Sequence, residues 1–541
     1  MLRTLLRSVR PALRRAGGDG ARVGELLARA SAALEDGRYA DAEAALLEAR
    51  ALDPGGTDAL SLLGKLYMRR TQFDAALEYF DEAHAHGGDR APLHANRAGA
   101  LLALGRYAEA LAAARRAAAL EPDSFVRAAD VLFVLHQDPG VTPAEMLSAH
   151  QGVAARFLDC LPQLSIPRSR FDDPGRRLRI GYVSGDFRDH AVAFFIEPLL
   201  AQRDRAAFEV HCYQTMRKAD ARTARWRALA DAWHDVTDAS DDALAQAIFD
   251  HRIDILVDLA GLTRGGRTPA LARRPAPVQV SYLGYLGTTG SRAFDYRITD
   301  ALADPPGESD RWHSERLLRM PRTQWCFAPW DGMPAPAERA GGADAPIVFG
   351  SFNRLTKLHP PLLGLWARLL QRVPGSVLWM LDVPSDEARA ALLAPFRAAG
   401  VAESRIVTFP RQLRADYWET VRGADVALDP FPYNGGATTC ECLWLGVPVV
   451  TKAGALGFAR SGASILGNAG LPELVAASDA QYLDVAAGLA ADRPRLRALQ
   501  RGLRERLRAS PLLDAAGFMR ELEAAYRDIW RRACAAQGPP G

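Results

Sequence analysis

Lysine is nearly missing from this protein. Of 67 basic Lys and Arg residues in a chain of 541, only four are lysine, at positions 65, 218, 357 and 452. The arginine and alanine bias follows a GC-rich coding composition rather than a function, so each retained lysine is worth locating. An excess of positive charge is missing too. With 64 acidic residues the formal charge is +3, which argues against a chain built to neutralise a nucleic-acid backbone. No apolar run reaches the roughly 18 residues that a spanning helix needs, so no membrane segment is expected. Six cysteines, at 160, 212, 326, 440, 442 and 534, are too sparse for a disulfide framework. They form no paired CxxC motifs at metal-ligand spacing. A reducing, cytoplasmic setting is expected, with no metal site. The first 18 residues carry Arg3, Arg7, Arg10, Arg14 and Arg15 and no acid, which reads as a basic arm over 1–20 rather than a transit peptide.

What is present begins with a repeat. Tyr39, Phe73 and Tyr107 stand 34 residues apart, each after a turn-like stretch. The same register holds Ala42, Ala76 and Ala110, then Ala49, Ala83 and Ala117, and ends each unit with Pro54, Gly88 and Pro122. A 34-residue period with small residues where paired helices touch is the tetratricopeptide pattern. One helical hairpin cannot bury its apolar face alone, so such units stack and present a surface suited to an extended peptide. The array is assigned to 21–123, and 124–176 reads as a helical linker ended by prolines.

From 177 the pattern becomes short apolar runs separated by amphipathic helical stretches. Strands are expected over 178–183, 208–213, 255–259 and 278–283. After a Pro/Ala/Gly-rich break at 334–346, others follow over 347–351, 377–381, 405–409, 426–429 and 447–451. Alternation of strand and helix predicts doubly wound parallel sheets. The break splits them into lobes at 177–340 and 341–510, before a C-terminal helix and tail at 511–541. Ligands in such sheets sit beyond the carboxyl ends of strands, which directs attention to the residues following each one.

Those residues are distinctive. After one strand comes Ser184-Gly185-Asp186-Phe187-Arg188-Asp189-His190, and after another Phe352-Asn353-Arg354-Leu355-Thr356-Lys357. A third leads into Asp429-Pro430-Phe431-Pro432-Tyr433-Asn434-Gly435-Gly436-Ala437-Thr438-Thr439-Cys440-Glu441. The Gly-Gly turn leads into a short helix whose free N–H groups, with Thr438 and Thr439 beside them, suit a diphosphate. Glu441, one turn in, can accept from a ribose diol, as an acid does in dinucleotide folds. No Walker lysine follows, which argues against a nucleotide triphosphatase. Lys357 is a compact charge able to neutralise a departing phosphate oxygen, and His190 is placed to face it from the other lobe.

In this order the motifs resemble the O-linked N-acetylglucosamine transferase and Spindly family. The resemblance runs from about 177 to 480, is reinforced by the repeats, and extends to a closing helix containing Phe518, Tyr526 and Trp530. It implies a helical tetratricopeptide array followed by a GT-B fold of two facing Rossmann-like domains. It further implies an inverting, metal-independent enzyme that needs no cofactor and moves N-acetylglucosamine from UDP-GlcNAc to Ser or Thr of a protein engaged by the repeats. By position, Lys357 matches the essential lysine at the donor diphosphate and Arg354 a neighbouring polar contact. Gly436, Ala437 and Thr438 match the diphosphate-binding helix start, Glu441 the acidic ribose ligand and Arg414 a basic ribose contact. Gln412 falls where backbone groups read the base, and Tyr417 stands where a stacking histidine is usual. His190 matches a histidine of the cleft. The acceptor proton has three candidate destinations that the sequence leaves open: His190, a carboxylate such as Asp254, or a donor phosphate oxygen. Two other readings stay open, a GDP-fucose-dependent protein O-fucosyltransferase and a non-catalytic repeat scaffold. The second is raised by Leu262, Leu286 and Ala437, which depart from the family pattern.

Overall fold

The computed structural model describes residues 18–337 and 345–537. Most of the basic arm and the middle of the Pro/Ala/Gly-rich break therefore lie outside the described residues. The rest divides into two compact units, one ending at Val134 and including Asp382–Ala394, the other formed by Leu135–Leu381 and the chain from Pro395 onward.

Helices α1 (Gly18–Glu35), α2 (Tyr39–Leu52), α3 (Thr57–Arg69), α4 (Phe73–Ala85), α5 (Ala91–Ala103) and α6 (Tyr107–Leu120) make up most of the first unit. The six register alanines named above are all at 0% exposure, because a methyl group is all that fits where successive helices cross. Gly64 marks another close approach: a Cβ there would lie 2.3 Å from the Phe80 ring. Within each hairpin the first helix ends in a left-handed residue, at Gly37, Thr71 and Gly105. The next N–H reaches back five residues, from Arg38 to Ala33, Gln72 to Tyr67 and Arg106 to Leu101. This closure satisfies carbonyls left open at a helix end.

The second unit carries two all-parallel sheets. The first comprises β1 (Leu178–Ser184), β2 (Phe208–Gln214), β3 (Ala232–Asp235), β4 (Ile255–Asp258), β5 (Val278–Ser281), β6 (Tyr296–Asp300) and β7 (Arg316–Met320), in the order 3-2-1-4-5-6-7. The second comprises β8 (Val348–Ser351), β9 (Val377–Met380), β10 (Ile406–Thr408), β11 (Val426–Leu428), β12 (Val449–Lys452) and β13 (Val475–Ala476), in the order 10-9-8-11-12-13. Helices cover both faces, so a central strand such as β1 is buried along almost its whole length and reads as an apolar run rather than an alternation.

β3, β6, β7 and β13 were not among the expected strands. β6 reads Tyr-Arg-Ile-Thr-Asp, and its polar residues are buried with partners: Asp300 accepts from the Gln324 N–H at 2.9 Å and the Ser464 hydroxyl at 2.5 Å. Buried polar residues that are satisfied internally erase the apolar signal on which strand reading depends. The closing helix, Ala515–Ala536, returns to the first lobe, where Tyr526 Oη lies 3.2 Å from Tyr182 Oη of β1.

Candidate active site

In both sheets the chain order reverses beside the first strand, between β1 and β4 and between β8 and β11. A crevice opens at the carboxyl ends of such strands. Beyond β8 lies the one-turn helix Leu355–Lys357, and beyond β11 the loop 429–436 leading into the helix Ala437–Trp444. The crevice brings these segments together. Lys357 Nζ donates to the Asn434 carbonyl at 2.8 Å and to Asn353 Oδ1 at 3.1 Å, and stands 4.8 Å from the Tyr433 ring centroid. Its hydrogen-bond partners are neutral, and the buried Asp429 carboxylate is the opposing charge that acts on it. Burial lowers its pKa to about 8, against the pull of Asp429.

Asp429 organises the turn beneath. Its carboxylate accepts from the Gly435 N–H and the Thr451 hydroxyl, each at 2.7 Å, and burial pushes its pKa up. Gly435 sits in a tight space. A Cβ there would lie 3.0 Å from Asp429 Oδ1 and from Thr439 Oγ1. Thr439 is buried and donates back to the Gly435 carbonyl, so its hydroxyl is turned away from an incoming anion. Gly436, Ala437 and Thr438 remain partly exposed at the helix start, where the first N–H groups of a helix have no internal acceptor. Asn434 Oδ1 is buried without a hydrogen-bond partner, an acceptor available to a bound hydroxyl.

Glu441 lies one turn further in. It accepts from Tyr417 Oη at 3.2 Å and Trp418 Nε1 at 3.3 Å, and burial raises its pKa to about 7. Tyr417 and Arg414 share the helix Arg414–Gly423. Arg414 pairs with Asp189 of the first lobe and packs 3.7 Å from the Trp330 ring centroid, against which Arg222 also packs at 3.4 Å. Gln412 precedes that helix, and its buried Oε1 lacks a partner. Arg354 is exposed at the cap of the Lys357 turn.

His190 is about one-third exposed, with Nδ1 3.5 Å from Asp186 Oδ2. Burial lowers its pKa, and the charge of Arg354 in the second lobe acts in the same direction.

Asp254 is not brought to this crevice. It stands at the amino end of β4, at 0% exposure, held by Arg176 at 2.6 Å and Arg170 at 3.3 Å. The same Arg176 packs 4.7 Å from the Trp530 ring centroid. The carboxylate thus anchors the closing helix at the end of the sheet opposite the ligand side, because a strand separates it from the residues that follow Asp258.

Asn353, Asn434, Asp429 and Tyr433 were quoted within sequence motifs but given no role. Their contiguity with Lys357 and Gly436 was the available signal. The Asn353 amide and the Asn434 carbonyl carry no titratable signature, so only their placement reveals that they hold the lysine.

Two Rossmann-like lobes with a helix start and a buried lysine at the strand ends make up a GT-B architecture. The profile of Glycosyl transferase family 41 matches residues 162–331 and 335–522, and a tetratricopeptide-repeat profile matches 27–90 and 61–125. The chain belongs to glycosyl transferase family 41. It is 37% identical over 432 residues to a tomato (Solanum lycopersicum) protein named probable UDP-N-acetylglucosamine–peptide N-acetylglucosaminyltransferase SPINDLY, which covers 78% of this chain and 46% of the relative. An Arabidopsis thaliana protein with the same enzymatic name, SEC, is 33% identical across 67% of this chain and 38% of its own length. The chain spans just under half the length of the curated relatives it matches. Among solved structures, a lysine-to-methionine mutant of Thermobaculum terrenum O-GlcNAc transferase superposes with a TM-score of 0.89 at 37% identity, covering 96% of this chain and 99% of that one.

Proposed function

We propose that this protein is an inverting O-glycosyltransferase that moves N-acetylglucosamine from UDP-GlcNAc to a Ser or Thr hydroxyl of a protein. The observation that carries the reading is the ammonium of Lys357, held by neutral groups beside the helix start of Ala437–Trp444. The relatives named for that reaction support the choice of donor and acceptor.

In this reading the donor diphosphate lies against the N–H groups at 436–438, and Glu441 accepts from the ribose while Tyr417 stacks on the base. The acceptor oxygen attacks the anomeric carbon from the face opposite the diphosphate. The carbon–oxygen bond to phosphate breaks and its electron pair passes to the leaving UDP, whose new charge meets Lys357. Preorganised charge of this kind is typically the largest contribution to catalysis in a water-poor site. The hydroxyl proton passes to His190, whose lowered pKa leaves its nitrogen free to accept. With the leaving group neutralised by Lys357 and the helix start, transfer is metal-independent. The tetratricopeptide array supplies the surface that engages the acceptor protein.

The test is a donor screen: purified protein, a Ser/Thr-rich peptide mixture, and either UDP-GlcNAc or GDP-fucose, read by mass spectrometry. The reading expects a HexNAc mass increment with UDP-GlcNAc alone. Fucose transfer, or no transfer with either donor, overturns it.

A further inference from the structure

Far from the crevice, at the β3 edge of the first sheet, three histidines converge from three separate elements. His211 lies on β2, His234 on β3, and His251 caps the helix Asp241–Asp250. Parallel registry sets Tyr213 opposite His234, so His211, Tyr213 and His234 share one face of the sheet, since alternate strand residues point the same way. His211 Nδ1 is 3.1 Å from His234 Nε2. The rings of His234 and His251 stack with centroids 4.1 Å apart. One ligating nitrogen from each ring lies within 4.8 Å of the other two.

We propose that these three imidazoles form a binding site for a divalent transition-metal ion of the zinc class, clamping the helix end to the sheet edge. Each available nitrogen follows from the bond its partner nitrogen makes. His211 Nε2 is 2.9 Å from Glu209 Oε1, which fixes the proton there and leaves the Nδ1 lone pair facing the cluster. His251 Nδ1 is 2.9 Å from Tyr213 Oη, which leaves Nε2. His234 contributes Nε2, which carries the proton of its 3.1 Å bond to His211 Nδ1 while no ion is bound and passes that proton to Nδ1 or to solvent when one binds. Carboxylate and hydroxyl partners behind ligating histidines are the usual outer support of a metal site. Zinc holds imidazole nitrogens at about 2.0–2.1 Å, so a tetrahedral set needs them about 3.3 Å apart. The closest pair already meets that spacing; the third nitrogen, within 4.8 Å, must approach, and because the His234 and His251 rings stack at 22° one of them must also turn for both in-plane lone pairs to reach one ion. Three imidazoles with an open fourth position select zinc, cobalt or nickel over the oxygen-loving cations.

The surrounding charges are mixed. Glu209 and Asp250 act in favour of a cation. Arg179 lies 3.5 Å from Glu209, donates to the His251 carbonyl at 3.1 Å, and opposes one, as does Arg177, 3.3 Å from Glu209. A scan for linear ligand motifs cannot find this set, because its members are spread over 40 positions and share no spacing rule.

The test uses the full-length, untagged protein stripped with chelator, titrated with Co²⁺ and followed by visible absorption, then with Zn²⁺ by calorimetry and thermal melting. One equivalent should bind with the intense absorption of tetrahedral cobalt, and Zn²⁺ should raise the melting temperature. His234→Ala and His251→Gln should each abolish that absorption and the thermal shift. Glu209→Gln should weaken affinity by roughly 10- to 100-fold. His94→Ala, which removes one of the second triplet of candidate ligands His84, Asp89 and His94 in the repeats, should change neither readout. Circular dichroism separates loss of binding from loss of fold, and two independent variants guard against either one failing to fold. No bound equivalent in the wild type, or undiminished cobalt absorption in both histidine variants, overturns the proposal.

Discussion

Lys357 Nζ and the Asn434 carbonyl oxygen meet at 2.8 Å across 77 residues of sequence. The lysine is thereby held by the loop that leads into the helix Ala437–Trp444, with the buried Asp429 as its opposing charge. Replacing Lys357 with Ala should lower kcat by about 10²–10³, the usual cost of removing one preorganised charge-stabilising group. Lys357→Arg should not restore the rate, because a planar fork cannot occupy a cage sized for an ammonium. Steady-state transfer assays on correctly folded variants measure both. Near-normal turnover of Lys357→Ala would remove the lysine from the mechanism.

The pH profile of kcat/KM should be a narrow bell. Glu441 must be ionised to accept from the donor, and with a pKa near 7 it gains its charge as pH rises through that value. Lys357 must be charged, and with a pKa near 8 it loses its proton as pH rises further. The optimum therefore falls between about 7 and 8. Glu441→Gln should flatten the acid limb and leave the alkaline one. A rate independent of pH from 6 to 9 contradicts the assignment.

Removing the hydroxyl that supports Glu441 tests the donor pocket separately from the chemistry. Tyr417→Phe keeps the ring that stacks on the base but deletes the 3.2 Å bond to the carboxylate. A neutral hydrogen bond to a charged group is worth about 1.5–3 kcal/mol, so donor KM should rise by roughly 10- to 100-fold with little change in kcat. Isothermal titration with UDP provides the check.

Asp254 gives the opposite pattern. Asp254→Ala leaves Arg170, whose side chain is 5% exposed, without its carboxylate, and breaking a buried ion pair by removing one partner costs about 3–5 kcal/mol. Denaturant unfolding should show that loss while kcat, measured at low temperature, stays within about twofold. A large fall in kcat with full stability would return Asp254 to the catalytic machinery.

Chelation distinguishes the chemistry from the histidine site. Excess EDTA should leave the initial rate unchanged, since Lys357 and the helix start neutralise the leaving group, while lowering the melting temperature of protein loaded with Zn²⁺. Loss of rate restored by Mg²⁺ or Mn²⁺ would show that a divalent cation takes part in the transfer.

Several elements were legible because their signals are local. The 34-residue period located the alanine contacts of the repeats, and Gly435-Gly436 followed by two threonines located the helix start, since a tight turn and a free helix end are made by consecutive residues. β6 was hidden because its polar side chains find partners in other segments. The resemblance to the family directed attention to Lys357, Glu441 and His190, but Asp254 was drawn in only by its chemistry and lies at the amino end of β4.

The amino-acid sequence by itself determined the repeat array, the two α/β lobes and the identities of the groups that follow their strands. Only the tertiary structure decided which groups meet. The order 10-9-8-11 sets the ends of β8 and β11 side by side at the crevice, and in the first sheet the order 3-2-1-4 leaves Asp254 at the amino end of β4. Parallel registry likewise gathers His211 and His234 beside His251. Strand order and registry are set by the collective burial of both sheet faces, and no single segment carries that information.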